Sequence, residues 1–308
     1  MSLHRLMGFT SAVPDPEAVA AFYAEMGLTG DPVVGFSGSD GGTAVRVEEA
    51  PVRRLRRVEI GCESDHDLAE IRQRLVAGGA QPTGHPEEVV MVDPSTAIEF
   101  VIGVAGAAPV PAPAVSNPVN APGATVRANR RAPAVFEGAR APRRLGHLVI
   151  GTPSLTGTRD LLVDGLGFKV TDEAEGIICF LRCSTDHHNI ALVESPVPLL
   201  QHYSWECDDV DHAGHSATKL LRTDPERQTW GMGRHFAGSN FYWYLRDPAG
   251  SYIEFYADMD QITDDAAWEA TGRTPFELEH VANSWGPDIP LEFIVPLDLD
   301  TLQASWEH

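Results

Sequence analysis

Short apolar runs and helix-like segments alternate twice along the chain, in nearly the same order. In the first copy an apolar run ends at Pro14, and apolar residues at helical spacing follow from Glu17 to Met26. Two short strands are predicted on either side of the turn 38–42, whose glycines relax the restriction on positive φ. A strand at 57–62, a helix at 65–77 and strands at 89–92 and 97–102 complete this copy.

The second copy occupies residues 143–257 and repeats this order. Its predicted strands are 145–152, 176–182, 189–194, 202–207, 240–245 and 252–257, and its predicted helices are 156–166 and 208–221. The turns that begin at Asp93 and Asp247 are both followed by an Ile-Glu-Phe strand, so the two copies can be aligned. The pattern predicts an α+β fold of tandem βαβββ modules, paired into two domains, with curled mixed sheets and helices outside.

The chain is predicted to divide into four regions. Residues 1–103 form an N-terminal domain and residues 143–258 a C-terminal domain, because each contains one copy of the pattern. Residues 104–142 are rich in alanine and proline, which favours extended chain, and we interpret them as a linker. Residues 259–308 form a C-terminal tail.

Composition and charge exclude several classes of partner. With 44 acidic and 23 basic residues the net charge is −21, so nucleic acid is not an expected partner. No apolar stretch reaches the roughly 18 residues of a membrane span, and the N-terminus lacks a signal-peptide pattern. The cysteines are too scattered for a disulfide framework, and we expect buried free thiols in a cytoplasmic protein. They are Cys62, Cys179, Cys183 and Cys207.

Three residues in predicted strands of the C-terminal domain form a candidate metal site. They are His147, His202 and Glu254. Two imidazoles and one carboxylate are the ligand set that holds non-haem Fe(II) and leaves other positions open. Alignment of the two domains places Gly8, Arg57 and Glu99 opposite them. Glycine offers no ligand atom and arginine is always protonated, so the N-terminal domain has the framework without the metal site.

Five segments of the chain are more specific than the three ligands alone. They are Gly146-His-Leu-Val, His187-His-Asn-Ile-Ala-Leu, His202-Tyr-Ser-Trp-Glu, Gly233-Arg-His and Asp247-Pro-Ala-Gly-Ser-Tyr-Ile-Glu-Phe-Tyr. Together they resemble the vicinal oxygen chelate superfamily (the glyoxalase/bleomycin-resistance fold), in particular its two-domain type I extradiol catechol dioxygenases. The resemblance implies an inert N-terminal domain, Fe(II) (with Mn(II) fitting the same ligands), a catechol-type diol and O2 as substrates, and a homo-oligomer.

The same resemblance implies roles for further residues. His188, the second histidine of its pair, falls on the family's acid–base catalyst, while His187 is expected to face the other side by strand alternation. His235 matches a histidine near the substrate hydroxyls, and Tyr244 matches a tyrosine that hydrogen-bonds a substrate oxygen. Where family members often have an aspartate, three residues after His235, this chain has Gly238.

Two other functions fit the same fold. A metal-dependent isomerase or lyase usually takes a second carboxylate ligand, and only one is evident here. A small-molecule-binding protein would not need the three ligands. His212 and His215 lie one turn apart on a predicted helix and are interpreted as solvated side chains. In the tail, His280 and Trp285 are candidates for an active-site lid, with packing on the domain surface as the equal alternative.

Overall fold

Two mixed sheets, one from each half of the chain, form the framework of the computed structural model, which describes residues 2–42, 44–106, 118–271 and 283–306. The first sheet contains β1 (Leu3–Val13), β2 (Thr29–Asp31), β3 (Gly35–Ser37), β4 (Ala44–Glu49), β5 (Arg54–Cys62), β6 (Glu88–Val92) and β7 (Glu99–Val104). The second contains β8 (Leu145–Thr152), β9 (Lys169–Ala174), β10 (Ile178–Arg182), β11 (Ile190–Glu194), β12 (Leu199–Glu206), β13 (Gln228–Arg234), β14 (Phe241–Arg246) and β15 (Tyr252–Ala257).

Each sheet is organised around a central antiparallel pair, β1 with β5 in the first and β8 with β12 in the second. The strand orders are β2-β3-β4-β1-β5-β7-β6 and β13-β14-β15-β12-β8-β11-β10-β9. The outer neighbours β4, β7, β11 and β15 run parallel to the central strands that they flank. The predicted α+β fold of paired modules in two domains is therefore confirmed.

The helices begin and end where local signals place them. The α-helices of the described ranges are α1 (Pro16–Met26), α2 (Asp65–Ala77), α3 (Leu155–Asp160), α4 (Val210–Thr223), α5 (Asp265–Ala270), α6 (Leu291–Ile294) and α7 (Leu299–Trp306). Asp15 caps α1 by accepting from the backbone N–H of Ala18, and Gly27 ends it at φ 92°. Helix α3 continues into the π-helical turn Leu161–Leu166. None of the described helices is long and apolar enough to span a membrane.

One apolar core joins the two domains. The ring of Phe9 on β1 lies 5.3 Å from the ring of Tyr203 on β12, and Tyr23 of α1 also packs on Tyr203. The core is continuous through both sheets. The strand that carries His202 is thus supported by the N-terminal domain on one side.

Arg53 links three parts of the chain that are distant in sequence. It is 5% exposed and donates to the carbonyl of Leu200 and to Oγ of Ser251, each at 2.9 Å. Its guanidinium also forms a two-point ion pair with Asp298 in the tail, at 2.7 and 2.9 Å. Arg53 therefore attaches the tail to both domains.

The strand ladders correct one alignment between the two domains. In the second sheet, Glu254 lies opposite the residue two positions after His202. In the first sheet, the residue two positions after Arg57 lies opposite Val101. Val101 rather than Glu99 therefore takes the place of Glu254, so the alignment of Glu99 is wrong by two residues. Glu99 forms an ion pair with Arg57 at 2.7 Å instead.

Candidate metal centre and active site

Three neighbouring strands place the candidate ligands at one height of the second sheet. His147 on β8 and Glu254 on β15 both lie opposite Ser204 on the intervening strand β12. His202 precedes Ser204 by two residues, so both side chains leave β12 on the same face. The three candidate ligands are all buried, at 1%, 6% and 0% exposure for His147, His202 and Glu254.

The ligand atoms of these three side chains converge. Nε2 of His147 lies 2.9 Å from Oε2 of Glu254, and Nε2 of His202 lies 3.8 Å from the same oxygen. All three ligand atoms are within 4.8 Å of one another. Ser204 donates from Oγ to Oε2 at 2.6 Å, and Asn240 donates from Nδ2 to Oε1 at 3.0 Å. Two hydrogen bonds thus orient the carboxylate toward the imidazoles.

The protonation states suit metal binding. Burial favours the neutral acid at Glu254, but His147 and His235 outweigh burial and hold the pKa of Glu254 well below its usual range. Burial lowers the pKa of His202 to about 3. At neutral pH the carboxylate is therefore ionised and His202 is neutral, which are the forms that coordinate metals.

The donor set fits a divalent first-row transition metal. Two imidazole nitrogens and one ionised carboxylate oxygen form the facial triad typical of non-haem Fe(II), and the same nitrogen and oxygen donors suit Mn(II). Nδ1 of His202 contacts Oε1 of Gln201, which holds the ring with Nε2 toward Glu254. Nδ1 of His147 is buried and has no hydrogen-bond partner within the described ranges. The ring of His147 packs on Tyr256, with centroids 5.1 Å apart.

His188 lies beside the ligands, in the loop between β10 and β11. Its ring centroid is 4.2 Å from that of His147 and 5.0 Å from that of Phe180. Burial, with a smaller contribution from His147, lowers the pKa of His188 well below 6.5, so the imidazole is neutral. His187 was expected to face the other side, but both histidines are in a loop, where alternation does not apply. Their Nδ1 atoms are 3.1 Å apart, so that expectation is wrong.

His235 and Tyr244 form a hydrogen-bonded pair on the other side of the carboxylate. Tyr244 on β14 lies opposite Glu254, and its hydroxyl is 2.8 Å from Nε2 of His235. Nε2 of His235 is also 3.6 Å from Oε1 of Glu254. Burial, reinforced by the charge of Glu254, raises the pKa of Tyr244 well above 10, so the phenol keeps its proton. The structure thus brings together the six residues that the sequence assigned to metal binding and catalysis.

The tail contributes a side chain that the sequence gave no reason to select. Phe293 on α6 is 8% exposed, and its ring centroid lies 4.6 Å from that of Tyr244 and 5.9 Å from that of His202. Nε2 of Gln201 donates to the carbonyl of Phe293 at 2.9 Å. Trp230 packs on Phe293 at 5.1 Å. Tail and ligands are therefore connected through both an aromatic cluster and a hydrogen bond.

The lid candidates are not tested by these contacts. His280 lies outside the described residues. Trp285 is 49% exposed, forms a β-bridge with Arg234 and lies 6.0 Å, centroid to centroid, from Phe241. The part of the described tail that touches a candidate ligand is Phe293, and a lid role for Trp285 stays a prediction.

The expectation that His212 is solvated is wrong. His212 is fully buried, its Nδ1 accepts from the backbone N–H of Asp208 at 3.1 Å, and its Nε2 lies 3.3 Å from the carbonyl of Arg140. His215 similarly contacts the carbonyl of Ala134 at 2.9 Å. The end of the predicted linker packs along α4, and this packing explains both histidines without a metal.

Comparison with known proteins identifies a family and several relatives of this chain. Residues 144–255 match the family described as the Glyoxalase/Bleomycin resistance protein/Dioxygenase superfamily. The chain is 31% identical over 306 residues to metapyrocatechase 2 of Cupriavidus necator, which covers 95% of this chain and 92% of the relative. It is 28% identical over 159 residues to the iron-dependent extradiol dioxygenase of Rhodococcus jostii (strain RHA1), covering 47% of this chain and 50% of the relative.

A solved structure shows the same fold. Homoprotocatechuate 2,3-dioxygenase from Arthrobacter globiformis superposes with a TM-score of 0.72 at 18% identity, covering 97% of this chain and 94% of that one. The identity to metapyrocatechase 2 extends over nearly the full length of both chains, so the similarity is one of family as well as of fold. The chain belongs to the Glyoxalase/Bleomycin resistance protein/Dioxygenase superfamily and, within it, to the two-domain extradiol dioxygenases.

Proposed function

We propose that this protein is an extradiol ring-cleaving dioxygenase that inserts both atoms of O2 into a catechol-type diol and gives a muconic semialdehyde-type product. The observation that carries the proposal is the buried cluster of two histidines and one carboxylate, with ligand atoms within 4.8 Å of one another. The names of the two relatives support the reaction class. Catechol and O2 contain all the atoms of the product, so the reaction needs no external reductant.

His147, His202 and Glu254 would hold Fe(II), with Mn(II) as the alternative that the donor set also suits. When bound, the metal supplies a positive charge that favours the ionised diol and a redox centre for O2. Ser204 and Asn240 fix the carboxylate so that its orientation does not depend on the substrate. Burial of all three ligands keeps bulk water from competing for them.

The surrounding residues would handle protons and orientation. His188, neutral and beside His147, accepts a proton from the diol and returns it as the ring opens. Tyr244 keeps its proton and donates a hydrogen bond to a substrate oxygen, while His235 orients the phenol. Trp230 and Phe293 add flat apolar surface against Tyr244, which suits an aromatic ring and excludes water.

Anaerobic reconstitution with Fe(II), followed by oxygen uptake on a panel of catechols, tests the reaction class. We expect stoichiometric oxygen consumption and a yellow semialdehyde product with at least one catechol. His202→Ala should lose both iron and activity, whereas His215→Ala, a histidine on α4 away from the site, should keep both. Absence of oxygen uptake with every catechol, in protein that holds iron, would favour an isomerase, a lyase or a binding protein.

The role of His188 has its own test. His188→Phe should retain iron and catechol binding but lose most of its turnover, because the phenyl ring has a similar shape but no nitrogen that can accept or donate a proton. Binding is measured by iron content and by the spectral change on anaerobic addition of catechol. Unchanged turnover would remove His188 from the proposal.

The wider setting of the enzyme is also proposed. Residues 143–258 carry the chemistry, residues 1–103 support it, and 104–142 link them. The protein acts in the cytoplasm, which suits its four buried free cysteines, and assembles as a homo-oligomer. Exposed apolar side chains at Leu291, Ile294 and Leu297 of the tail support self-association. Light scattering after size exclusion measures the assembly, and a monomer at assay concentration would contradict it.

A further inference from the structure

His188 is the first member of a chain of contacts that leads away from the candidate ligands. Its Nδ1 lies 3.1 Å from Nδ1 of His187, and Nε2 of His187 lies 2.8 Å from Oδ2 of Asp172. Asp172 is on β9, far from the candidate ligands in sequence, and lies opposite Phe180 in the ladder with β10. The three groups form a carboxylate–imidazole–imidazole series that ends beside the metal centre.

The carboxylate of Asp172 determines which nitrogen carries the proton in each of the two imidazole rings. A carboxylate can only accept, so Nε2 of His187 carries the proton that it donates to Asp172. With one proton per ring, Nδ1 of His187 then has a lone pair and accepts from Nδ1–H of His188. Nε2 of His188 is left with the lone pair. Each contact in the series has one donor and one acceptor in this state.

The surroundings hold the series in place. His187 is fully buried and His188 is 5% exposed, and both rings pack edge-on against Phe180. Trp268 of α5 also packs on His187, with ring centroids 5.6 Å apart. Among the described residues, the bond to His187 is the single hydrogen bond of His188, so its Nε2 is available for proton exchange.

Gly238 lies next to the contact between the two histidines. An added Cβ there would lie 3.4 Å from Nδ1 of His187, the atom that contacts His188, and 3.2 Å from Oδ1 of Asn240. The glycine also has φ +84°, a conformation that disfavours larger residues. A longer side chain at this position would press on the contact between the two histidines.

We propose that Asp172 and His187 are positioning residues that fix His188 in the Nδ1–H tautomer and present Nε2 as its proton-accepting atom. This inference rests on the proposed function only for the role of His188 in turnover. The tautomer itself is a property of the protein and can be measured without any reaction. Asp172 reaches His188 through His187, and its side-chain contact is with His187 rather than with a candidate ligand.

The experiment combines nitrogen NMR of the metal-free protein with steady-state kinetics of the iron-loaded enzyme. In protein labelled with 15N-histidine, the signals of His188 are assigned by their loss in His188→Phe. We expect a protonated Nδ1 and an unprotonated Nε2 in the parent, and a mixture of both tautomers in Asp172→Asn. An amide can donate to His187 as well as accept from it, so it no longer selects one tautomer.

In kinetics, Asp172→Asn should lower kcat by about tenfold or more, as part of the roughly 100–10,000-fold that a positioned acid–base group contributes, while KM and iron content change little. Glu173→Gln is the matched control, because Glu173 is the next residue on β9 and pairs with Arg159 on the other side of the strand. The inference is overturned if His188 carries its proton on Nε2 in the parent, or if Asp172→Asn matches Glu173→Gln in tautomer and kcat. A parent enzyme that cleaves no catechol would refute the proposed function, while the tautomer result would still decide the assignment.

Discussion

Replacing Gln201 by leucine tests how far the tail supports the metal centre. Gln201 is 8% exposed, its Oε1 contacts Nδ1 of His202, and its Nε2 donates to the carbonyl of Phe293 at 2.9 Å. Leucine has similar volume but neither bond. Both partners are buried, and each unpaired group costs about 1–3 kcal/mol, so we expect a loss of about 2–6 kcal/mol in the free energy of unfolding.

Part of that loss should appear in the metal affinity. Partners of metal-ligating histidines typically contribute about 10–100-fold to affinity, which corresponds to about 1.4–2.7 kcal/mol. Anaerobic Fe(II) titration measures the metal affinity, and denaturant unfolding of the metal-free protein measures the free energy of unfolding. Gln228→Leu is the control, since Gln228 is exposed and its Oε1 accepts from Nε1 of Trp243 on the surface. Parental iron affinity in Gln201→Leu would refute the link between tail and ligand.

Two further changes probe buried charges away from the ligands. Arg53→Met should lower the free energy of unfolding by about 2–5 kcal/mol, because it removes the ion pair with Asp298 and the hydrogen bonds to Leu200 and Ser251. Arg56→Met, at a half-exposed arginine, should change it by less than about 0.5 kcal/mol. Equal losses for the two variants in denaturant titrations would contradict this. Burial raises the pKa of Asp247 from 3.8 to about 6, although a hydrogen bond from Tyr203 opposes the shift. Between these two pKa values the folded state therefore binds more protons than the unfolded state. As pH rises through this window, the contribution of Asp247 lowers the free energy of unfolding by up to about 3 kcal/mol. Asp247→Asn should therefore gain stability relative to the parent between pH 4 and 7 in urea titrations, and parallel pH profiles would exclude this assignment.

The sequence was sufficient to predict the candidate ligands because each one is encoded locally. His147, His202 and Glu254 each lie in an apolar strand, and the duplicated pattern aligned those strands with a copy that lacks the histidines. The first helix was equally local: apolar residues at helical spacing predicted it up to Met26, where α1 ends. Such patterns are visible in a short stretch of sequence and do not depend on distant contacts.

Features that depend on irregular backbone or distant contacts were not predictable. Strand β9 (Lys169–Ala174) has charged side chains at three of its six positions, two of them adjacent, and β13 (Gln228–Arg234) contains two glycines. Neither strand therefore has a clear apolar period. The contact between His187 and His188 depends on a loop. The register of Glu99 was misjudged because the alignment followed the shared Ile-Glu-Phe motif, whereas the pairing with the neighbouring strand sets the register. Phe293 reaches the site through a tail whose path no local pattern specifies.

Arg53 also has a consequence for the order in which the protein folds. Its bond to Asp298 joins residues 245 positions apart, and its bonds to Leu200 and Ser251 span 147 and 198 positions. Contacts of such separation form late, because the entropy of closing long loops must be offset by earlier structure. The two sheets should therefore fold before α6 and α7 dock. Since Gln201 receives its tail partner only at that step, the support that the tail gives to His202 would be one of the last features of the site to form.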